Sequence, residues 1–388
     1  MASYLRQARV FYKDNLAGTL EETVTGGSRF SYQKGWSEDI ACCFPVTKTD
    51  HDWESGLHPF FQHLTSEGWL REKQALAANI KTENDFGFLL RYGADCIGAV
   101  GVRPERESEE LPVIAEGTPT PGRTISGVQK KLLVVKDGKG YRPATGSEPA
   151  SHIAKFNSNS IDTLVRNELR SLTWITALLG QEEVTGFTQG LVENEAALIV
   201  TRFDRGPRGE KYRQEDFAQI LIKPRGVDYG GKYDSDYETV AELIKKHSSR
   251  PVIDLDRFYM RLIAYALIGN CDAHLKNFSL LETPTGFRLS PVYDVVNTVL
   301  YPDYDIHFGL GLLGERRPID QLDGDIFREF GATIGLTKAA IDQTFETLHR
   351  RARKAAKTLA PPEAEAPDGF LNRFAEIVRT QCLRILGE

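Results

Sequence analysis

The sequence predicts an α+β fold in which a small α+β unit precedes a strand-rich half and a helical half. Three observations support this prediction. Short apolar runs bounded by turn residues continue to about residue 205, and apolar residues then recur at helical spacing almost to the end. A Glu- and Pro-rich segment over 104–122 separates the first hundred residues from the rest. The chain of 388 residues has room for two or three units with their own cores.

Composition excludes several classes of function. The formal net charge of -6 argues against direct electrostatic binding of nucleic acid, which relies on an excess of Lys and Arg, so we expect any contact with DNA to be made through a partner. The five cysteines form no C-x-x-C pair, and their odd number fits reduced thiols in a cytoplasm. The most apolar segment is too short to cross a bilayer, so we expect no membrane contact.

Residues 1–103 are predicted to form the small α+β unit. It contains apolar residues at helical spacing from Leu57 to Ile80, a helix over 85–92 and a strand over 96–102. Three further strands are predicted at 8–12, 16–20 and 29–32. The segment 104–122 is predicted to be a linker or an exposed loop.

Residues 123–205 are predicted to form the strand-rich half. Backbone amides near Gly127 could approach an anion, although a plain surface hairpin is the default interpretation of that turn. A helix is predicted over 164–179. Strands are predicted over 132–135, 152–156 and 197–201, the last ending in a polar bend.

Residues 206–388 are predicted to form the helical half. Helices are predicted over 214–221, 237–247, 255–268, 319–359 and 368–386. A Gly-rich loop over 226–232 separates the first two, and a linker over 360–367 separates the last two. A strand pair over 278–281 and 287–289 interrupts the helices.

The most informative motif lies beside this strand pair. Asp272 and Asn277 are five positions apart, and Asp294 follows the strand pair. A carboxylate can accept the proton of a substrate hydroxyl, while an amide oxygen and a second carboxylate are ligands that magnesium prefers. This is the spacing of a kinase catalytic loop and its metal ligands. An Asx-rich turn is the alternative interpretation, but the motif favours a phosphoryl-transfer centre.

A lysine in the strand-rich half fits the same chemistry. Lys155 is embedded among apolar neighbours in a predicted strand, as is the kinase lysine that binds nucleotide phosphates. Glu168, thirteen residues later in a helix, could pair with it and hold it in place. The alternatives are a lysine that extends into water and a glutamate favoured by the helix dipole.

Taken in order, these motifs resemble the HipA family of bacterial serine/threonine kinases. The resemblance rests on residues 16–20, 57–71, 125–131, 152–156, 202–205, 214–217, 272–278 and 293–294, so it runs nearly end to end. It implies a bilobal protein-kinase-like fold of the PI3/4-kinase-like HipA type. The first hundred residues would be the small N-terminal subdomain of that family.

The resemblance also implies roles for individual residues. Asp272 would be the general base, Asn277 and Asp294 would bind magnesium, and Lys155, supported by Glu168, would contact the phosphates of ATP. The other nucleotide-binding residues would be Ile125, Ser126, Gly127, Thr201, Arg202, Phe203, His274 and Tyr293. Of these, residues around Thr201 to Phe203 would form the adenine hinge.

The family also implies partners. A member would be the toxin of a type II toxin-antitoxin pair, held in check by a HipB-like helix-turn-helix antitoxin that binds operator DNA. Known members phosphorylate aminoacyl-tRNA synthetases, which arrests growth and induces persistence. The resemblance therefore implies a cytoplasmic protein kinase that meets DNA only through its antitoxin.

Regulation in the family is by autophosphorylation in the Gly-rich loop, and here Thr124 and Ser126 are the candidate hydroxyls. A phosphate there would repel the phosphates of ATP. The sequence departs from the common pattern with Thr124 at the first hydroxyl position and Lys130 in place of an acidic residue. Asn270 and Cys271 replace the His-Arg of eukaryotic kinases, so control through the loop or a partner is expected.

Two other functions are compatible with the sequence. Small-molecule kinases use the same Asp, Asn and Asp set, and a non-catalytic corepressor could bind nucleotide only as a structural ligand. The presence of a base, Asp272, favours an enzyme over the corepressor. The substrate is not specified by the motifs, because specificity in this architecture lies in loops, chiefly 226–232 and 295–317.

Overall fold

The computed structural model describes residues 5–105, 129–145, 148–158, 160–360 and 368–387. These residues form two compact units, here called the first unit (Met1–Ile153 with Arg202–Lys232) and the second unit (Ala154–Thr201 with Tyr233–Glu388). Outside the described residues lie most of the predicted linker over 104–122 and the predicted loop residues Thr124, Ile125, Ser126 and Gly127.

An antiparallel sheet of five strands forms the core of the first unit. Its strands are β1 (Gln7–Tyr12), β2 (Asn15–Glu22), β3 (Ser28–Tyr32), β4 (Asp50–Trp53) and β5 (Val100–Pro104), in the spatial order β4-β3-β2-β1-β5. The sequence predicts all of these except β4. Its residues are mostly polar and only His51 is buried, so β4 is a strand because it pairs with β3 and not because of apolar alternation.

Three helices accompany this sheet: α1 (Pro59–Gln62), α2 (Gly68–Ala78) and α3 (Asp85–Tyr92). The helical spacing predicted from Leu57 to Ile80 is broken before Gly68, which has a φ of +55°. Aromatic rings fill the core between the helices and the sheet, and their burial supplies much of its stability. The rings include Phe30, Phe44, Phe60 and Phe61.

The chain then passes into the second unit at residue 154 and returns to the first unit at Arg202. Strands β6 (Lys131–Asp137) and β7 (Gly140–Pro143) form an antiparallel hairpin, and β8 (His152–Lys155) carries the chain into the second unit. There α4 (Leu164–Leu179) has the predicted bounds, because its apolar residues bury one face. Strands β9 (Phe187–Val192) and β10 (Glu195–Thr201) pair antiparallel.

The prediction of a helix over 214–221 is wrong. The chain forms a short strand, β11 (Gln214–Asp216), and then a single helical turn, α5 (Phe217–Ile220). Asp216 begins that turn, because its Oδ1 accepts a hydrogen bond from the Gln219 amide at 2.9 Å and its own amide donates to Gln219 Oε1 at 3.0 Å. This capping box fixes the helix start at Phe217, three residues after the predicted start.

The rest of the second unit is mainly helical. Its elements are α6 (Tyr237–His247), α7 (Pro251–Ile268), β12 (Ser279–Thr283), β13 (Gly286–Leu289), α8 (Gly324–Thr333), α9 (Lys338–Ala355) and α10 (Gly369–Leu386). The helical segment predicted over 319–359 contains two main helices, which are separated near Gly335, a residue with a φ of +90°.

Helix α7 positions the candidate site. It begins at Pro251, its residues from Arg261 to Ile268 are fully buried, and it ends at Gly269, whose φ of +79° lets the chain turn away. The motif that contains Asp272 begins directly after this turn. No helix in the described ranges is both long and apolar enough to cross a membrane.

Candidate active site

Thr298 fixes the start of the motif. The Gly269 carbonyl accepts hydrogen bonds from the Thr298 amide at 3.0 Å and from the Thr298 hydroxyl at 3.1 Å. The same hydroxyl accepts a bond from the Cys271 amide at 2.8 Å. These bonds satisfy buried backbone groups at the end of α7 and hold the chain that leads to Asp272.

The backbone just after Asp272 is held by α6. The Tyr237 hydroxyl donates to the Ala273 carbonyl at 2.8 Å and accepts from the Leu310 amide at 3.3 Å. The neighbouring residue is Gly309, where a Cβ atom would lie 2.5 Å from the Ala273 carbonyl. Only glycine allows this close approach of two backbones. Sequence reasoning did not find Tyr237 or Thr298, because neither lies within the motif.

The Asp272 carboxylate lies at the surface of this loop with 21% of its side chain exposed. Its Oδ1 accepts a hydrogen bond from the Tyr233 hydroxyl and lies 4.0 Å from His274 Nε2. An exposed carboxylate on a fixed backbone is suitable for accepting a proton. The sequence did not predict Tyr233 as a site residue. The one sequence feature that could have pointed to it is its position directly after the Gly-rich segment 226–232.

Asn277 closes the loop on which Asp272 lies. Its Oδ1 accepts from the His274 amide at 3.0 Å, and its own amide donates to the His274 carbonyl at 2.9 Å. Tyr293 contacts the same loop, since its hydroxyl donates to the Lys276 carbonyl at 2.7 Å. This bond brings Tyr293, the residue before Asp294, next to the loop that contains Asn277.

Lys155 joins two predicted site residues. Its Nζ lies 2.5 Å from Glu168 Oε1 and 2.7 Å from Asp294 Oδ1. The side chain is buried and does not extend into water, which is the alternative that its strand position left open. Burial by itself lowers the pKa of the ammonium group, but Asp294 and Glu168 outweigh burial and raise the pKa above its ordinary value. Lys155 therefore carries its charge at neutral pH.

The backbone of Asp294 is strained. Its φ is +56°, in the left-handed region that non-glycine residues rarely adopt. Such strain persists only where the surrounding structure imposes it, and it concentrates at functional sites. Here the ion pair with Lys155 holds Asp294 itself, and the Tyr293 hydroxyl bond holds the residue before it.

The three predicted hinge residues have different surroundings. The Thr201 amide donates to the Gly186 carbonyl at 2.7 Å, and the Thr201 carbonyl accepts from the Thr185 hydroxyl at 2.9 Å. Arg202 is buried and its guanidinium pairs with acidic side chains of the first unit, while Phe203 is half-buried. Contact between Arg202 and a nucleotide would therefore have to use backbone atoms.

The residues fit a magnesium ion of the kind that kinases use. In the ranges that the structure describes, no three His, Cys, Asp or Glu side chains are grouped to hold a metal. Magnesium is usually held by one or two protein oxygens, with the other ligands supplied by water and substrate phosphates. Asn277 and Asp294 would supply one amide oxygen and one carboxylate, which is this donor set.

Comparison with known proteins gives consistent results. Residues 123–356 match the model of the HipA-like C-terminal domain, and residues 8–103 match the HipA N-terminal domain. The chain is 33% identical over 318 residues to "Putative kinase Y4dM" of Sinorhizobium fredii, covering 75% of each protein. It is 24% identical to "Serine/threonine-protein kinase toxin HipA" of Shewanella oneidensis, covering 92% of this chain and 90% of the relative.

A solved structure has the same fold. The HipA chain of the Shewanella oneidensis complex of HipA, HipB and operator DNA superposes with a TM-score of 0.78 and 22% identity, over 98% of this chain and 97% of that one. This confirms the α+β, HipA-type kinase-like fold that the sequence predicts. Because one family model matches more than half of the chain and a second matches its N-terminal part, the chain belongs to the HipA family.

Proposed function

We propose that this protein is a kinase that transfers the γ-phosphoryl group of ATP to a serine or threonine hydroxyl of a protein. The observation that carries the proposal is the position of Lys155, which contacts both Glu168 and Asp294 at 2.5 and 2.7 Å. Protein kinases need a lysine–glutamate ion pair and a metal-binding aspartate in place for transfer, and Lys155, Glu168 and Asp294 supply these residue types. Asp272 and Asn277 lie in the same unit.

Each residue has a distinct role in this mechanism. Asp272 accepts the proton of the acceptor hydroxyl, and Lys155 neutralises phosphate oxygens of the nucleotide while Glu168 keeps its ammonium in place. Asn277 and Asp294 would hold magnesium, which would neutralise charge on the phosphates. Transfer of this kind depends on positioning and electrostatics, and Thr298, Tyr237 and Gly309 fix the loop that carries Asp272.

We propose the nucleotide contacts and the regulatory site on family grounds. Ile125, Ser126 and Gly127 would cover the phosphates, with Thr124 and Ser126 as autophosphorylation sites. The hinge residues Thr201, Arg202 and Phe203, together with His274 and Tyr293, would surround the nucleotide. The subdomains proposed for this chain are 1–103, 104–122, 123–205 and 206–388. One family model ends at residue 103 and the other begins at residue 123, which supports the first two boundaries.

We also propose a biological role. The protein would be the toxin of a type II toxin-antitoxin pair, bound by a HipB-like antitoxin and meeting DNA only through it. The Shewanella oneidensis relative, a kinase toxin whose structure contains HipB and operator DNA, supports this role. An aminoacyl-tRNA synthetase is the proposed substrate and growth arrest the outcome. The free thiols of all five cysteines are compatible with a cytoplasmic location.

Intact-mass spectrometry after incubation with ATP and magnesium tests the kinase. We expect added phosphate on the wild-type chain, mapped to Thr124 or Ser126, and none on Asp272→Ala or Asp294→Ala. An Asp325→Ala variant, which removes an exposed carboxylate of α8 that has no role in the proposed mechanism, serves as the control and should retain phosphate. Equal labelling of wild type and Asp272→Ala would contradict the proposed mechanism.

The same assay separates the two alternatives. A non-catalytic corepressor would bind ATP without labelling itself or any protein in a lysate, and would then be expected to alter DNA binding by the antitoxin. A small-molecule kinase would consume ATP when offered a panel of hydroxylated metabolites in the absence of protein substrate. The protein kinase proposed here should label a protein in the lysate and should not respond to the panel.

A further inference from the structure

The acceptor oxygen of the proposed base is already used. The Tyr233 hydroxyl donates a hydrogen bond to Asp272 Oδ1 across a sequence separation of 39 residues. An acceptor serine or threonine must donate its own hydroxyl to the same carboxylate before its proton can be removed. The phenol O–H therefore occupies an acceptor position on Asp272 Oδ1 for which a substrate O–H would compete.

Contacts on the ring hold Tyr233 in this position. The ring packs edge-on against His274, with 5.1 Å between the ring centres, and the Arg316 guanidinium lies 5.5 Å from its centre. Arg316 is itself fixed, since its Nη2 lies 2.9 Å from Asp305 Oδ2 and its Nε donates to the Phe308 carbonyl at 3.1 Å. A cation over an aromatic face adds modest stability and orients the ring.

These contacts connect two segments to the base. Arg316 and Asp305 belong to the segment 295–317, and Tyr233 follows the Gly-rich segment 226–232. Both segments are the loops in which substrate specificity is predicted to lie. A protein substrate that contacts either segment could disturb the ring of Tyr233. Such a contact would release Asp272 only when an acceptor is present.

We infer that Tyr233 is a gating residue whose hydroxyl an acceptor hydroxyl must displace from Asp272. This inference rests on the proposed kinase function. In the reaction, the acceptor O–H replaces the Tyr233 O–H on Asp272, and the acceptor oxygen forms a bond to the γ-phosphorus. The bond from that phosphorus to the β–γ bridging oxygen breaks, ADP leaves with its electron pair, and Asp272 takes the acceptor proton. Tyr233 exchanges its hydrogen bond and is not chemically changed.

The test compares initial rates of self-phosphorylation and of ATP hydrolysis by the full chain, at saturating ATP and magnesium. Tyr233→Phe removes the hydroxyl but keeps the ring between His274 and Arg316. We expect kcat to rise by at least about tenfold, the lower end of the range that corresponds to one lost hydrogen bond to a charged group. The KM for ATP should not change, because the gate competes with the acceptor and not with the nucleotide.

Two further variants control this test. Tyr259→Phe removes a buried phenol whose hydroxyl donates to the Phe327 carbonyl at 2.9 Å, and it should leave kcat unchanged. Arg316→Gln keeps the Tyr233 hydroxyl but loosens the ring, so it should raise kcat by less than Tyr233→Phe does. If Tyr233→Phe does not fold, the kcat of Arg316→Gln tests the inference in its place.

The outcomes separate this inference from the proposed function. Suppose that wild type transfers phosphate and Asp272→Ala does not. If the kcat of Tyr233→Phe is then equal to or lower than that of wild type, Tyr233 only positions the base and the gating inference is wrong. A changed KM for ATP in Tyr233→Phe would also overturn the gate. If no form transfers phosphate, the kinase proposal fails and the gate fails with it.

Discussion

Each unit contains a cluster of ion-paired side chains, and the two clusters differ in the ratio of basic to acidic groups. In the first unit, Arg202 and Arg205 pair with Asp95 and Asp204 at 2.6 to 3.0 Å. Burial would raise the pKa of Asp95, but the two guanidinium groups outweigh it and hold the pKa below its ordinary value. In the second unit, Lys155 contacts two carboxylates, those of Glu168 and Asp294.

The difference indicates what each cluster is for. Two cations with two anions neutralise each other, and both arginines also donate to the Cys96 carbonyl, at 3.0 and 2.7 Å. Such a network is balanced in charge without a ligand. One lysine with two carboxylates leaves an excess of negative charge, which a divalent cation could balance. We therefore expect damage to the first cluster to cost stability and damage to the second to cost activity.

The largest effect on stability is expected for Arg202→Met. It leaves two buried carboxylates with a single arginine, and breaking a buried pair from one side costs about 3 to 5 kcal/mol. Denaturant unfolding of the full chain measures the loss. Arg208→Met, at a pair whose arginine is 89% exposed, should cost about 1 kcal/mol or less. Equal losses in the two variants would show that the first cluster is not a structural network.

Lys155→Met should have the largest effect on activity. Losing a charge that stabilises the transferring phosphoryl group lowers kcat by about a hundredfold to a thousandfold. Initial rates of phosphate incorporation measure the loss, with ATP binding followed separately. Lys245→Met, which breaks a surface pair with Glu242 in the same unit, should transfer phosphate at the wild-type rate. If Lys155→Met retains normal transfer, the second cluster is structural like the first.

A smaller effect should come from pH and act on the first unit. His58 is buried against Phe44, and burial lowers its pKa to about 4. The unfolded chain takes up a proton on this histidine below about pH 6.5 and the folded chain does not. The contribution of neutral His58 is therefore present above pH 6.5 and is lost as the pH falls toward 4, by up to about 3 kcal/mol.

His58→Asn sharpens this prediction. The His58 Nδ1 accepts from the Phe60 amide at 3.2 Å at the start of α1, and asparagine can make the same kind of cap without titrating. Between pH 7.5 and 4.5 the variant should lose less stability than wild type does, as measured by the denaturant midpoint. A parallel decline in the two proteins would place the acid sensitivity at other groups.

Local pattern was enough to predict much of the fold and part of the site. The bounds of α4 follow from its apolar spacing, and the pairing of Lys155 with Glu168 spans only 13 residues between a strand and the next helix. The helix predicted over 214–221 failed for a local reason, since apolar spacing over a few residues does not distinguish a strand from a helix. The capping box at Asp216 decided it.

The sequence by itself determined the family, the α+β fold and the residues that carry the proposed chemistry, because periodicity and motif spacing are local and are written along the chain. Only the tertiary structure decided that Lys155 reaches Asp294 across 139 residues, that a polar segment forms β4, and that Tyr233 lies on Asp272. Contacts between distant residues depend on how whole elements pack. The spacing of residues along the chain does not encode that packing, because several polar side chains of the sequence could equally well be the partner of the Asp294 or the Asp272 carboxylate.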